Sequence, residues 1–246
     1  INDILDTEKN YINQLKTLNL KVVNFEDLGC GAKKSDLVIN AIYPEKQLLK
    51  NHYFGHNYFI LRDEFIYAEK KKSVKDFKNI LITFGGVDPN NYTKKVVETI
   101  YDYCNLNNID ITVLAGFGYK KYHSLSVFEN LKIKKNVTNI SKYMLRADLI
   151  FTSAGRTTYE IASIGTPAIV MAQNDRELSH FFASSEFGFL NLGLGCNISK
   201  EEILQNFLKL ESSTDGRKRM SKLMKKIDLK GGRKTVIKLI KNIIEE

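Results

Sequence analysis

Residues 152–160 have the composition of an anion-binding loop that leads into a helix. The small and polar members of this segment are Ser153, Ala154, Gly155, Thr157 and Glu160. Small side chains at a helix start leave backbone N–H groups accessible, and these donors and the helix dipole favour a diphosphate. Ser153 and Thr157 add hydroxyl donors, and Glu160 is placed to accept hydrogen bonds from the vicinal hydroxyl groups of a ribose. The alternatives for Glu160 are an ordinary helix-surface position and a capping box with Thr157.

A second candidate loop contains the paired glycines Gly85 and Gly86, directly after an apolar run. Glycine allows positive φ angles and close approach of the backbone to a ligand. Asp88 or Asn90 could cap the helix that is predicted next. We therefore expect ligand contacts in this loop, with a plain turn as the alternative.

A third polar segment, residues 173–180, follows a predicted strand. Its amides and charges favour a sugar pocket, and a solvent-exposed loop is the alternative. His180 is a candidate general base because imidazole titrates near neutrality. However, it falls on a predicted helix beside two phenylalanines, so a structural role is preferred. Arg62 could anchor a phosphate, although pairing with a carboxylate is the preferred interpretation.

The elements that position these loops alternate between short β-branched runs and helical patterns. Strands are predicted at residues 21–25, 37–40, 80–84, 109–114, 137–140, 149–152, 168–171 and 189–192. Helices are predicted at residues 8–18, 93–103, 122–130, 142–147, 157–164 and 177–185, with further helices to the end. This order predicts an α/β fold with a doubly wound, Rossmann-like parallel sheet. Ligands bind beyond the carboxyl ends of such strands, where the candidate loops lie.

Composition narrows the classes of function. The 246 residues, 43% of them apolar, suffice for one large or two smaller domains. No apolar run approaches the roughly 20 residues that span a bilayer, so we expect a soluble, cytoplasmic protein without an integral membrane segment. The cysteines Cys30, Cys104 and Cys196 have neither disulfide nor metal-ligand spacing. No metal and no cofactor is predicted.

The net charge of +9 raises the question of an anionic partner. The basic excess is concentrated at residues 70–72 and 217–241. In the second stretch, apolar residues recur at three-and-four spacing, which predicts the solvent-exposed faces of two amphipathic helices. Weak contact with an anionic membrane surface is the alternative, and no nucleic-acid partner is predicted.

The loops resemble those in the C-terminal domain of GT-B nucleotide-sugar enzymes. The resemblance rests on residues 84–88, 147–155, Glu160, 165–167 and Asn174. Through residues 61–65 the chain resembles the UDP-sugar hydrolase of pseudaminic acid biosynthesis and its relatives named for spore-coat polysaccharide synthesis. The UDP-N-acetylglucosamine transferase of peptidoglycan synthesis is a more distant likeness. The resemblance covers roughly residues 22–192.

The resemblance implies a role for each loop. Gly85, Gly86 and residues 153–155 would hold the diphosphate, and Glu160 would bind the ribose. The backbone around Ile140, at residues 139–141, would contact the uracil. The sugar would face Asn174, Asp175 and Arg176.

The same resemblance implies a division of the chain. Residues 1–42 would be the end of an N-terminal Rossmann-like domain, residues 43–78 an inter-domain segment, and residues 79–246 the nucleotide-sugar-binding domain. The family's hydrolases carry a Gly-x-Gly-His motif near their N-terminus, whose histidine is proposed to activate water. These residues contain no such motif, and the chain opens without an initiator methionine. We therefore expect a piece of a longer polypeptide, with the catalytic base upstream.

The function that this resemblance implies is hydrolysis of a UDP-linked amino sugar. The reaction would belong to the synthesis of a pseudaminic or sialic-acid-like sugar of the cell surface. One alternative is a glycosyltransferase that uses a UDP-N-acetylhexosamine donor. Another is a non-catalytic nucleotide-sugar-binding module, fused to or associated with a cytidylyltransferase. The number of copies that assemble is not predicted.

Overall fold

A computed structural model describes residues 1–44, 49–72 and 76–245. Residues 45–48 and 73–75 of the predicted inter-domain segment lie outside the described residues. The chain forms two compact units, Ile1–Leu61 with Asp228–Glu246 and Arg62–Ile227. This division differs from the predicted boundary near Ile42, since residues 43–61 and the last helix both belong to the first unit.

The elements follow the predicted alternation of strands and helices. The strands are β1 (Val23–Phe25), β2 (Leu37–Asn40), β3 (His52–Phe54), β4 (Asn79–Thr83), β5 (Asp110–Ala115), β6 (Lys132–Lys135), β7 (Leu149–Thr152), β8 (Ala168–Ala172) and β9 (Phe189–Leu194). The α-helices are α1 (Lys9–Thr17), α2 (Asp63–Tyr67), α3 (Tyr92–Leu106), α4 (Ile140–Arg146), α5 (Thr157–Ile164), α6 (Asp175–Leu178), α7 (Lys200–Ser212), α8 (Thr214–Lys225) and α9 (Gly232–Glu245).

The first unit is built on a parallel sheet with strand order β1-β2-β3. Its core joins Val23, Leu37 and Ile39 to Val236 of α9, because the apolar face of that amphipathic helix covers the sheet. β3 was not predicted from the sequence. Its three residues, His52–Phe54, are half-buried and mix polar with aromatic types, which hides the strand pattern.

The second unit carries a parallel sheet with strand order β6-β5-β4-β7-β8-β9. β4 and β7 lie side by side at the centre, and the chain winds outward from them in both directions, which is the doubly wound arrangement. β7 and β8 are buried along their whole length, as expected for strands covered on both faces. The predicted α/β fold is therefore confirmed, and the crevice between β4 and β7 is the place to look for a ligand.

Three predicted elements in this unit were wrong. A strand was predicted at residues 137–140, but β6 lies earlier, at Lys132–Lys135. Ile140 is already the first residue of α4. Lysines alternate with Ile133 in β6 because it is an exposed edge strand, so the apolar signal is weak. A 3-10 helix, Lys120–Leu125, replaces the helix predicted at residues 122–130. The helix predicted at residues 177–185 is the short α6 and a separate 3-10 turn, Ser185–Phe187.

The basic C-terminal stretch forms helices with one apolar face each, as predicted. Met224 of α8 and Val236 of α9 are buried, whereas the lysines around them are mostly exposed. Among the described residues, no helix combines the length and the apolar composition needed to cross a membrane.

Candidate functional site

A cleft of about 340 Å³ opens in the second unit where β4, β5 and β6 end, beside α4 and α5. This volume lies within the range of small-molecule sites. Five predicted site residues line the cleft, namely Gly85, Gly86, Ile140, Thr157 and Glu160. The other described lining residues are Arg62, Thr83, Leu114, Ala115, Gly116, Phe117, Asn136, Val137 and Met144. The cleft therefore lies at the switch point of the sheet, as the order of the strands requires.

One wall of the cleft is glycine backbone. Gly85 has a φ of +76°, and an added Cβ at either Gly85 or Gly86 would meet no atom within 4 Å, so a ligand can approach this backbone closely. The loop after β5 packs against it: a Cβ at Gly116 would lie 2.3 Å from the Gly85 carbonyl oxygen. The amide of Gly118 donates to the Gly86 carbonyl at 2.8 Å. Two loops thus support one open backbone surface.

A buried polar network fixes the glycine loop to the loop after β8. Asn91 is the N-cap residue of α3, but the Asp88 carboxylate satisfies the first amides of the helix, since it accepts from Tyr92 at 2.9 Å and from Thr93 at 2.8 Å. The Gln173 side-chain amide donates to the same carboxylate at 2.8 Å. Asn90 does not cap the helix through its side chain, which donates to the Gln173 carbonyl at 2.7 Å. This network therefore ties the segment that follows Gly85 and Gly86 to the loop after β8.

Glu160 projects from α5 to the cleft and pairs with Arg62. The Arg62 Nε donates to Glu160 Oε1 at 2.8 Å, and the Glu160 side chain is only 13% exposed. Burial raises the pKa of Glu160, and the Arg62 hydrogen bond acts in the opposite direction. The preferred interpretation of Arg62, pairing with a carboxylate, is confirmed. Since a carboxylate has about four acceptor positions, the pair leaves acceptor capacity on Glu160.

The backbone at residues 139–141, which was expected to contact the uracil, is hydrogen-bonded to the carboxylate of Glu64. The Ser141 amide, near the start of α4, donates to Glu64 Oε1 at 2.5 Å. Ile140 lines the cleft beside it. Glu64 and Arg62 both come from the segment at residues 61–65, so this segment supplies polar groups around the cleft.

The small-residue loop at residues 153–155 is covered by a carboxylate. Glu177 accepts hydrogen bonds from the amide of Gln173 at 2.9 Å, from the amide of Ala154 and from the hydroxyl of Ser153. Ser153 and Ala154 are buried, and a Cβ at Gly155 would lie 3.4 Å from Glu177 Oε1. The groups predicted to bind a diphosphate do donate hydrogen bonds. Their acceptor in this structure is the carboxylate of Glu177.

The residues implied for sugar contact lie at the start of α6. Asn174 caps this helix, since its side-chain oxygen accepts from the Glu177 amide at 3.0 Å. Asn174 and Asp175 are exposed and Arg176 is half-buried. His180 lies beyond α6, and its Nδ1 is 2.8 Å from the Ala154 carbonyl oxygen. Burial lowers the pKa of His180, which favours the neutral ring.

The sequence reading missed Glu177, Gly116 and the segment at residues 136–137. Glu177 begins the helix predicted at residues 177–185 and belongs to the polar segment at residues 173–180, but no separate role was predicted for it. Gly116 follows β5 as Gly85 follows β4, so its position at a strand end was the available signal. Among the described residues, no group of three His, Cys, Asp or Glu side chains could hold a metal ion.

Three relatives match parts of the chain. The uncharacterized protein MJ1062 of Methanocaldococcus jannaschii is 34% identical over 195 residues, which are 70% of this chain and 40% of that protein. The spore coat polysaccharide biosynthesis protein SpsG of Bacillus subtilis is 27% identical over 227 residues, covering 86% of this chain and 66% of SpsG. The UDP-N-acetylglucosamine–N-acetylmuramyl-(pentapeptide) pyrophosphoryl-undecaprenol N-acetylglucosamine transferase of Desulforamulus reducens is 24% identical, covering 75% of this chain and 55% of the transferase. No protein-family model matches.

The chain spans only 40% to 66% of the length of these relatives. Among solved structures, MurG of Acinetobacter baumannii aligns with a TM-score of 0.65 at 17% identity, over 95% of this chain and 77% of MurG. Anabaena Alr3699/HepE, solved with UDP and glucose, aligns with a TM-score of 0.57 at 13% identity, over 100% of this chain and 69% of that one. At these identities the likeness shows the fold alone. Together with the strand order, it shows that the chain has an α/β fold of the GT-B type.

Proposed function

We propose that the cleft binds the UDP group of a UDP-linked amino sugar and that the protein transfers the sugar to an acceptor. The observation that carries the proposal is the position of the Glu160 carboxylate in one cleft with the accessible backbone of Gly85 and Gly86. A carboxylate suits the hydroxyl groups of a ribose, and open glycine backbone suits a diphosphate. The cleft lies at the switch point of a doubly wound sheet, where nucleotides bind.

The remaining nucleotide contacts follow from the same geometry. Ile140 and Val137 give the cleft an apolar wall beside the α4 start, where the uracil would lie. Thr157 and the donors at residues 153–155 would complete the diphosphate contact, provided that Glu177 gives up the donors it now occupies. Asn174, Asp175 and Arg176 remain the proposed sugar contacts, although they are not among the described residues that line the cleft.

Transfer to an acceptor is preferred to the hydrolysis that the motif resemblance implied. The similar protein of Desulforamulus reducens is an N-acetylglucosamine transferase, and the structure of Anabaena Alr3699/HepE holds UDP and glucose. One observation favours the hydrolase alternative: the resemblance to that subgroup lies in residues 61–65, and this segment contributes Arg62 to the cleft. The role in pseudaminic or sialic-acid-like sugar synthesis, the cytidylyltransferase partner and the cytoplasmic location stay predictions.

Isothermal titration of the chain with UDP tests the binding step. UDP should bind, and Glu160→Ala should weaken it by roughly 10- to 100-fold, because hydrogen bonds to a charged group contribute about 1–3 kcal/mol. Glu186→Ala, at an exposed position of the same unit, is the matched control and should leave the affinity unchanged. Equal affinity in all three proteins would remove Glu160 from the site.

The reaction class needs a separate measurement. Release of UDP from UDP-N-acetylglucosamine is followed with and without an added mixture of candidate acceptors. Transfer predicts release that depends on the acceptor. Release at the same rate in water alone would select hydrolysis, and binding without release under either condition would select the non-catalytic module.

A further inference from the structure

Another cavity of the second unit lies near the amino ends of its strands, at the opposite end of the sheet from the candidate site. It has a volume of about 1090 Å³, and Phe77, two residues before β4, is part of its lining. Asp148, directly before β7, accepts from the amides of Lys78 and Asn79 at 3.0 Å each, which ties the two strand starts together beside it. The amino ends of the strands therefore border this cavity, whereas their carboxyl ends border the cleft.

The lining of this cavity is strongly basic. Its basic members are Lys72, Arg217, Lys218, Lys222, Lys225 and Lys226. Asp76 and Glu211 are the acidic residues in the described lining. Residues 218, 222 and 225 recur at three-and-four spacing along α8, so one face of that helix directs its charges to the same space. We name this feature the α8 pocket.

Arg217 gives the α8 pocket a fixed, buried cation. It is 1% exposed, and its guanidinium carbon lies 5.0 Å from the Phe77 ring centroid. Its Nη1 donates to the carbonyl groups of Leu210 and Glu211 at the end of α7. These contacts immobilise the guanidinium, and a preorganised guanidinium is well suited to hold the oxygens of a phosphate.

Ser221, one turn after Arg217 on α8, supplies a hydroxyl that lacks a partner. It is 2% exposed, it lines the α8 pocket, and its Oγ makes no hydrogen bond within the described part of the chain. Buried polar groups are nearly always hydrogen-bonded, so an orphan hydroxyl in a basic pocket indicates a missing acceptor. A solvent-exposed basic face alone would not explain this hydroxyl, because Ser221 is buried.

The charges around the pocket oppose one another in the absence of an anion. Burial lowers the pKa of Lys225, and the neighbouring Lys70 lowers it further. Burial also lowers the pKa of Lys71, Asp148 acts in the opposite direction, and the charges of Lys225 and Arg217 lower the pKa further. An anion bound between α8 and Phe77 would relieve this repulsion.

We propose that the α8 pocket is a binding site for a phosphate group, separate from the nucleotide cleft. Arg217 and Ser221 hydrogen-bond the phosphate oxygens, and the exposed Lys222 and Lys226 neutralise the charge at the mouth. The phosphate can belong to a soluble phosphorylated compound or to a lipid headgroup, since both present the same group. The proposal is independent of the proposed UDP site.

Titration of the ¹⁵N-labelled chain with inorganic phosphate, followed by amide NMR, tests the site. The amides of α8 should shift and saturate. In the double variant Lys222→Gln/Lys226→Gln the dissociation constant should rise by about tenfold or more, because charge-assisted contacts are lost. Ser221→Ala should also weaken binding. Lys234→Gln/Lys238→Gln, which removes two exposed charges from α9, is the control and should behave as wild type.

Sedimentation with vesicles separates the two sources of the phosphate. Vesicles of phosphatidylcholine with about 30% phosphatidylglycerol are compared with vesicles of phosphatidylcholine alone. Pelleting on the anionic vesicles that the Lys222/Lys226 double variant loses supports a lipid headgroup, and phosphate binding without pelleting supports a soluble ligand. The proposal is overturned if phosphate fails to shift α8, or if the double variant and the control lose binding equally.

Discussion

Two carboxylates, Glu160 and Glu177, have different roles around the turn from β7 into α5. Glu160 lines the cleft and pairs with Arg62, whereas Glu177 accepts hydrogen bonds from Ser153 and Ala154. A carboxylate on these donors occupies the position expected for an anionic ligand. Removing Glu160 should therefore weaken nucleotide binding, and removing the charge of Glu177 should strengthen it.

Glu177→Gln should raise the affinity for UDP by about tenfold, because it removes an internal anion that competes with the diphosphate. Isothermal titration at neutral pH measures the effect. Glu186→Gln changes the same charge at an exposed position of the same unit and should leave the affinity as in wild type. A folded Glu177→Gln protein with unchanged or weaker affinity would show that residues 153–155 do not bind the phosphates.

For single residues, the sequence predicted which positions line the cleft better than it predicted which side chains pair with one another. Gly85, Gly86, Thr157 and Glu160 reach the cleft because the sequence pattern predicted the strands and the helix that position them. Ile140 also lines the cleft, although it begins α4 and the strand predicted at residues 137–140 is wrong. Contacts between distant segments, such as Arg62 with Glu160 and Glu177 with Ala154, depend on side-chain packing. No periodicity in the sequence reports that packing.

At the scale of elements, the loops after β4 and β5 depend on each other through Gly116. A side chain there would collide with backbone, since the added Cβ would lie 2.3 Å from the Gly85 carbonyl and 2.6 Å from the Gly86 carbonyl. Backbone cannot give way as the tip of a flexible side chain can. The shape of the cleft therefore depends on a glycine outside the predicted motifs.

Gly116→Ala should lower the stability by about 1–3 kcal/mol and weaken UDP binding, because both loops must shift to admit the methyl group. Urea unfolding and isothermal titration provide the two readouts. Gly86→Ala is the matched control for stability, since its Cβ would meet nothing within 4 Å. If the two variants unfold at the same urea concentration, the loops are not packed as described.

Buried strands were predicted more accurately than exposed or half-buried ones. β4, β7 and β8 are continuous apolar runs, and the sequence placed each to within a residue or two. β6 and β3 were missed because an edge strand rich in lysine and a half-buried aromatic strand lack that pattern. The break after α6 is a matter of tertiary contacts, which a helical pattern over residues 177–185 could not show.

At the scale of the whole molecule, charge is distributed unevenly over the second unit. The cleft, at the carboxyl ends of the strands, is lined by few charged side chains and by accessible glycine backbone. The α8 pocket, near the amino ends, is lined by several lysines. The net charge of +9 was predicted to reflect exposed helix faces, and α8 is indeed amphipathic. What the sequence could not show is that Arg217 and Ser221 of that helix are buried.

Buried carboxylates also make the stability of the molecule depend on pH in a direction that can be worked out. Burial is the largest influence on Glu177 and raises its pKa above the ordinary value of 4.5. Between these two values the native state holds a proton that the unfolded state has lost, so stability falls as pH rises through this interval. Glu98 is the opposite case, since its hydrogen bond with Lys200 lowers its pKa. Its contribution is present above pH 4.5 and is lost as pH falls through the lowered pKa.

Urea unfolding of wild type, Glu177→Gln and Glu98→Gln from pH 3 to pH 8 should separate these two contributions. Relative to wild type, Glu177→Gln should gain stability as pH rises above about 4.5, because the cost of ionising a buried carboxyl is removed. Glu98→Gln should show the reverse, losing stability relative to wild type as pH rises through the lowered native pKa toward 4.5. If both differences had the same sign with pH, the native state would favour the ionised form of Glu177 as it does that of Glu98, and burial would not be the dominant influence on the pKa of Glu177.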